Sequence, residues 1–276
     1  MILLSDPFNP LKNLSKTRFV IKTRTENDIM QAEKEIRDNY LIQIKKRYLQ
    51  WDLDIVINAL KRSFVNKAVI KTSSGNVKRD PLCVFTRPIY DEATFVAYVH
   101  TDEIVNLWRE KVAVIDLAIE RANRENLEKV FQELSPLFYH HCGHGTEEAL
   151  LGKDHEKIID SDNINFLKGC LVNTLACNSE KLGKLSIEKG CIGFFAQRRD
   201  FKVLTDISIA KLLFDMFKEK PPSREDVSLA DNFVRETLRS AIKHDKNNSI
   251  LLGDLEAKIH SFGDIDKEKY YDLING

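Results

Sequence analysis

Two stretches decide how the whole chain reads: Leu137-Phe138-Tyr139-His140-His141-Cys142-Gly143-His144-Gly145, and further on Cys170-Leu171-Val172-Asn173-Thr174-Leu175-Ala176-Cys177-Asn178-Ser179. Each is a short apolar, β-like run that stops at a reactive residue among small or polar neighbours. An imidazole flanked by glycines, His144, and a thiol after a small residue, Cys177, are what a nucleophile and its base require if adjacent strands carry them. A thiol is a weak nucleophile until ionised, and a neighbouring imidazole can ionise it.

Outward from these stretches, 82–86 (LCVFT) reads as a buried strand ending at Arg87-Pro88, and 92–110 as a helix with Phe95, Val99, Ile104 and Trp108 on its apolar face. A strand at 112–117 and a helix at 123–134 follow, and Pro136 introduces the strand that ends at the histidines. The pattern then predicts a helix over 154–167, a strand over 170–176, a helix over 182–188 and a strand over 191–196. Alternating buried strands and helices point to an α/β fold, a mostly parallel sheet with helices on both faces. The C-terminal part reads as helical, over 207–217 and 226–244.

Before residue 81 the grammar differs. Strand-like 17–23, helices over 26–50 and 52–64, and a strand over 67–72 with a turn at 73–76 carry no catalytic spacing. Residues 1–80 are therefore read as an N-terminal α+β extension with a regulatory role, and 81–276 as the main domain. The extension holds 16 Lys and Arg against 9 Asp and Glu, a surplus of +7 balanced by −7 over 81–276. With no nucleic-acid-binding motif, that charge reads as a solvated basic surface, and direct nucleic-acid binding is not expected.

The 276 residues are 43% hydrophobic and 30% charged, a globular composition. No apolar run approaches the roughly 20 residues of a membrane helix. The start, MILLSDPFNPLKN, has no basic segment of the signal-peptide kind, so a cytoplasmic protein without membrane contact is expected. Five cysteines with no CxxC pair suit a reducing compartment, and Cys83, Cys142, Cys170 and Cys191 read as packing residues. His140 and His141 read as supporting groups. His140, Cys142 and His144 crowd together, but zinc normally takes tight pairs on both sides, so no metal or cofactor is expected. Asp160, Asp162 and Asn163 lack the spacing and glycine of a calcium loop.

At this point the residues resemble a family. FYHHCGHG at 138–145 and LVNTLACNS at 171–179 are similar to the two catalytic segments of the caspase–separase–gingipain superfamily of cysteine peptidases, most of all its prokaryotic CHAT branch. The similarity extends through Thr86-Arg87-Pro88, Tyr90-Asp91, Leu182-Gly183 and Glu188-Lys189-Gly190, covering roughly 82–201. It implies a caspase-like peptidase domain over 81–276, with Cys177 as nucleophile, His144 as general base, and the amides of Gly145 and Cys177 as the oxyanion hole. Arg87 and Asp91 become substrate-binding candidates, Arg87 suiting an acidic P1 side chain and Asp91 a basic one. The resemblance further implies a protein or peptide substrate, an activating protein partner and a regulated, defence-type role.

The chain also departs from the pattern. Caspases proper read Gln-Ala-Cys-(Arg/Gln/Gly)-Gly, where this chain has Leu175, Asn178 and Ser179 around Ala176-Cys177. His144 and Cys177 are 33 residues apart (177 − 144), shorter than the roughly 50 of caspases. Aspartate specificity is not implied. The competing reading is a catalytically silent interaction module on the same fold.

Overall fold

Pro81 sits inside a strand, and its position explains how the sheet is assembled. In the computed structural model, which describes residues 52–200 and 248–275, strand β3 (Gly75–Arg87) changes partners there. Its first half pairs antiparallel with β2 (Ala68–Thr72). Its second half is flanked in parallel by β4 (Ala113–Ala118) and β5 (Pro136–Cys142). Proline has no N–H for a ladder, and the register slips between Asp80 and Cys83. The Asp80 side chain instead takes the Ser135 N–H at 2.6 Å, while its own amide donates to the Ser135 carbonyl at 2.8 Å.

Beyond β5 the sheet continues through β8 (Leu171–Leu175) and β9 (Gly193–Gln197), both parallel. It closes with β10 (Ser249–Gly253), antiparallel, while β11 (Lys258–Ser261) pairs antiparallel with β2 on the far side. Five of the eight strands therefore run parallel, and the sheet is mixed. Neighbouring strand residues face opposite layers. Val84, Tyr139, Val172 and Phe194 pack under helices α1 (Leu53–Ser63), α3 (Arg124–Glu133) and α4 (Glu180–Glu188). Cys83, Phe85 and Leu137 pack under α2 (Glu92–Arg109), through Val105, Ile104 and Trp108. The architecture is mixed α/β, with helices on both faces.

Two expectations change. The helix expected over 154–167 is a short hairpin strand, Lys157–Ile159, between two single 3₁₀ turns. Asp160 and Asn163 are the cause. The Asp160 carboxylate takes the Asp162 N–H at 3.0 Å, and Asn163 takes the Asp160 N–H at 2.9 Å and donates to the Ile158 carbonyl at 2.8 Å. Such local bonds offer the backbone an alternative to the helix. The boundary drawn at residue 80 falls in mid-strand: β3 is continuous across it, and α1 buries Val56, Ile57 and Leu60 in the core that holds Leu82 and Val84. The expected elements at 17–23, 26–50, 207–217 and 226–244 lie outside the described residues, as do the side chains of Phe95 and Val99.

Leu60 is 1% exposed in that core. Leu60→Ala should lower the unfolding free energy of the full chain by about 2–5 kcal/mol in urea titrations. An unchanged transition would mean that α1 is an appendage and not part of this core.

Candidate active site

β5 and β8 lie side by side, with His141 beside Thr174 and Cys142 beside Leu175. The Gly143 N–H extends the ladder by donating to the Leu175 carbonyl at 3.3 Å. His144 and Cys177, each two residues past the last paired position, thus leave adjacent strands at the same end of the sheet. That is the carboxyl end of the parallel strands, where open α/β sheets form their sites. The two loops touch. A Cβ on Gly145 would lie 2.7 Å from the Cys177 carbonyl oxygen and 2.8 Å from the Ala176 Cβ, so only glycine allows this approach. Gly145 is bridged to Leu150 by two flanking bonds, Leu151 N–H to the His144 carbonyl (3.0 Å) and Thr146 N–H to the Ala149 carbonyl (2.8 Å). Neither uses the Gly145 N–H.

Cys177 begins the tight turn between β8 and α4. Asn178 takes a left-handed conformation (φ 53°), which asparagine tolerates better than most residues. It is held there by its N–H on the Arg199 carbonyl (3.3 Å) and by its amide on Asp200 (2.8 Å). Beneath the turn, buried Ser179 donates to the Ala176 carbonyl and accepts the Gln197 N–H, both at 3.0 Å. None of the five cysteines is in a disulfide, and only Cys177 is partly exposed. Burial pushes the Cys142 and Cys191 thiols up to about 12, and raises those of Cys83 and Cys170.

His144 is about one-third exposed, and its Nε2 lies 2.7 Å from Asp91 Oδ2. The other Asp91 oxygen caps α2 by accepting the Thr94 N–H at 2.8 Å. Burial alone would raise the Asp91 pKa, but the bonds from Thr94 and His144 outweigh it and hold the group below its usual value. With a carboxylate accepting at Nε2, that nitrogen is the donor, and in a neutral ring Nδ1 would carry the lone pair. Two further rings surround this imidazole: Tyr90, centroid 5.7 Å away, and exposed His155, 6.1 Å away. Tyr90 and His155 contact each other at 4.4 Å, and His155 follows Asp154 in a left-handed pair (φ 51° and 63°).

A buried hydrogen-bond chain supports the same loop. His141 Nε2 donates to the His144 carbonyl (3.2 Å), and its Nδ1 faces Thr86 Oγ1 (2.8 Å), which in turn meets the Tyr139 hydroxyl (2.8 Å). Burial drives the His141 pKa down to about 4, with the bond to the His144 carbonyl opposing that shift, so the ring is neutral near pH 7. His140 faces the other layer, packed between Phe85 and Phe138.

The two substrate-pocket candidates both have partners within the chain. Arg87 is 1% exposed and lies in the layer under α2. It bonds both Asp116 oxygens (2.9 and 2.5 Å), Asp102 (2.9 Å) and the Tyr98 carbonyl (3.0 Å), with its guanidinium over the Tyr98 ring. Burial works against its charge, but Asp116 and Asp102 hold it on, raising the pKa. Arg87 is thus buried away from a P1 side chain, whereas Asp91 caps a helix and holds His144 while remaining about one-third exposed. Nothing in the sequence signals that Asp91 orients His144, nor the ring cluster around it, because these contacts join residues far apart along the chain.

No known family model matches the chain, and no curated protein matches it. Among solved structures, it is similar to the complex of Porphyromonas gingivalis RgpB pro- and mature domains, at 14% identity and a TM-score of 0.38. The likeness covers 63% of this chain and 46% of that one, so the chain spans less than half of that neighbour's length.

Because unfolded histidine titrates near 6.5 and buried His141 near 4, the unfolded state binds the extra proton first. Stability from this group is full above about pH 6.5 and falls as the pH drops towards 4, by about 3 kcal/mol in total. His141→Gln should flatten the stability–pH curve over that window in urea unfolding. Parallel curves would sink the assignment.

Proposed function

We propose that the chain is a cysteine endopeptidase of the caspase-like kind, most similar in its motifs to the CHAT branch, using Cys177 and His144. The supporting arrangement is a single one: a carboxylate-held imidazole and the one partly exposed thiol leave neighbouring strands at the same end of the sheet, with their loops in contact.

Nδ1 of His144 takes the Sγ proton, and the thiolate adds to the carbonyl carbon of the scissile peptide bond. The oxyanion is met by the N–H groups of Gly145 and Cys177. The imidazolium, stabilised by Asp91, gives its proton to the leaving amine as the C–N bond breaks. The acyl-enzyme is then hydrolysed by a water that His144 deprotonates, and the thiol returns. The position of Cys177 just before the N-terminus of α4 favours the thiolate through the helix dipole. The motif resemblance points to a protein or peptide substrate, an activating protein partner, and regulated, defence-type proteolysis in the cytoplasm.

A peptidyl electrophile should label Cys177 alone, with labelling lost in His144→Ala. Equal labelling of all five cysteines, or none, would favour a silent interaction module. Asp91→Asn is the sharper variant, because asparagine caps a helix as well as aspartate does. Thermal stability should hold while the acylation rate falls by about tenfold or more, general-base catalysis being worth about 10²–10⁴. An unchanged rate would remove Asp91 from the mechanism.

A further inference from the structure

At the opposite pole of the sheet, where β8 begins, lies a cavity of about 880 Å³, within the usual range for small-molecule sites. Its lining includes Arg79 and Lys168, and its only carboxylate among the described residues is Asp254. Asp254 is already engaged: Oδ2 takes the Ser73 N–H and hydroxyl (2.6 and 3.0 Å), and Oδ1 takes the Glu256 N–H (3.0 Å).

Arg79 is half-buried and bonded only to neutral acceptors. Its Nε donates to the Pro136 carbonyl and its Nη2 to Cys170 Sγ, both at 3.1 Å. Burial raises the Cys170 pKa although Arg79 opposes the shift, so the thiol keeps its proton and does not neutralise the guanidinium. Among the described residues no carboxylate pairs with Arg79 or Lys168, and Nη1 of Arg79 has no hydrogen-bond partner. Nη1 lies against Gly169 (φ +74°), where an added Cβ would come within 3.2 Å. A partly desolvated guanidinium without a counter-charge is unfavourable, and its fork geometry suits carboxylate and phosphate. The wall beside it is apolar, formed by Phe131 and Phe166 (ring centroids 6.2 Å apart), with Leu134 and Ile192.

We infer that this cavity binds a small amphipathic anion, its carboxylate or phosphate on Arg79 with Lys168 and its apolar body against Phe131 and Phe166. The site lies roughly 20 Å along β8 from Cys177, taking about 3.3 Å per residue. It is separate from the chemistry at the other end and does not depend on it.

The test is calorimetric titration of the full chain with phenyl phosphate, phenylacetate, inorganic phosphate and phenol. The two aromatic anions should bind with salt-sensitive affinity, the stronger of them showing whether phosphate or carboxylate is preferred. Inorganic phosphate and phenol should each bind at least about tenfold more weakly. Arg79→Gln should weaken the aromatic anions by at least about tenfold. Lys168→Gln, at an exposed position, should weaken them severalfold with the melting temperature unchanged, which keeps the test decisive if the Arg79 variant does not fold. Equal binding of phenol, no binding at millimolar concentrations, or affinities unmoved by salt and by Lys168→Gln would overturn the site.

Discussion

Everything at the carboxyl end of the sheet depends on the register of one parallel strand pair. Cys142 beside Leu175 puts His144 and Cys177 level with each other on leaving the sheet. Because side chains alternate at every residue, a slip of one position would turn Tyr139 and His141 out of their layer and carry His144 away from Cys177. The register is held by burial on both faces and by the close contact of Gly145 with Ala176 and Cys177, which no larger residue permits.

Around that pair, each group has a second attachment that limits its freedom. The loop after β5 is tied to the sheet through His141, Thr86 and Tyr139, and His144 to the start of α2 through Asp91. The turn at Cys177 rests on Ser179 and on the segment leaving β9. Preorganisation of this kind would spare a thiol and an imidazole acting together, as proposed, the cost of ordering their loops. Arg87 serves the same end from below: with Asp116 it joins β3 to β4, and with Asp102 and the Tyr98 carbonyl it fixes α2, whose first turn carries Asp91. Removing one partner of such a buried pair is far more damaging than its net worth suggests.

The two poles of the sheet differ in chemical character. One presents a thiol, imidazoles and backbone donors; the other presents unpaired positive charge beside aromatic rings. β8 runs between them, entered from Gly169 and Cys170 and left through Ala176 and Cys177, so a ligand at the far pole would contact the entry to the strand whose exit carries the thiol.

Much of this was legible in the residues themselves. Apolar runs ending at His144 and Cys177 gave the strands, because a strand buried on both faces must be apolar throughout. Helices α2, α3 and α4 followed from their periodicity. Residues 157–159 form strand where the periodicity predicts helix, because buried Ile158 and Ile159 fit either period and the side-chain bonds of Asp160 and Asn163 decide between them. Residue 80 looked like a boundary because composition cannot reveal that β3 trades an antiparallel partner for two parallel ones. The roles of charged residues were the least legible: Arg87 and Asp91 are charges in the sequence, and what each one meets is set by which side of β3, or which helix end, it occupies. The sequence by itself determined the strands, the helices flanking them and the positions of His144 and Cys177 just past two strand ends, since these follow from local periodicity and side-chain chemistry. Only the tertiary structure decided which strands are neighbours and which carboxylate faces which cation, since those contacts join residues far apart along the chain.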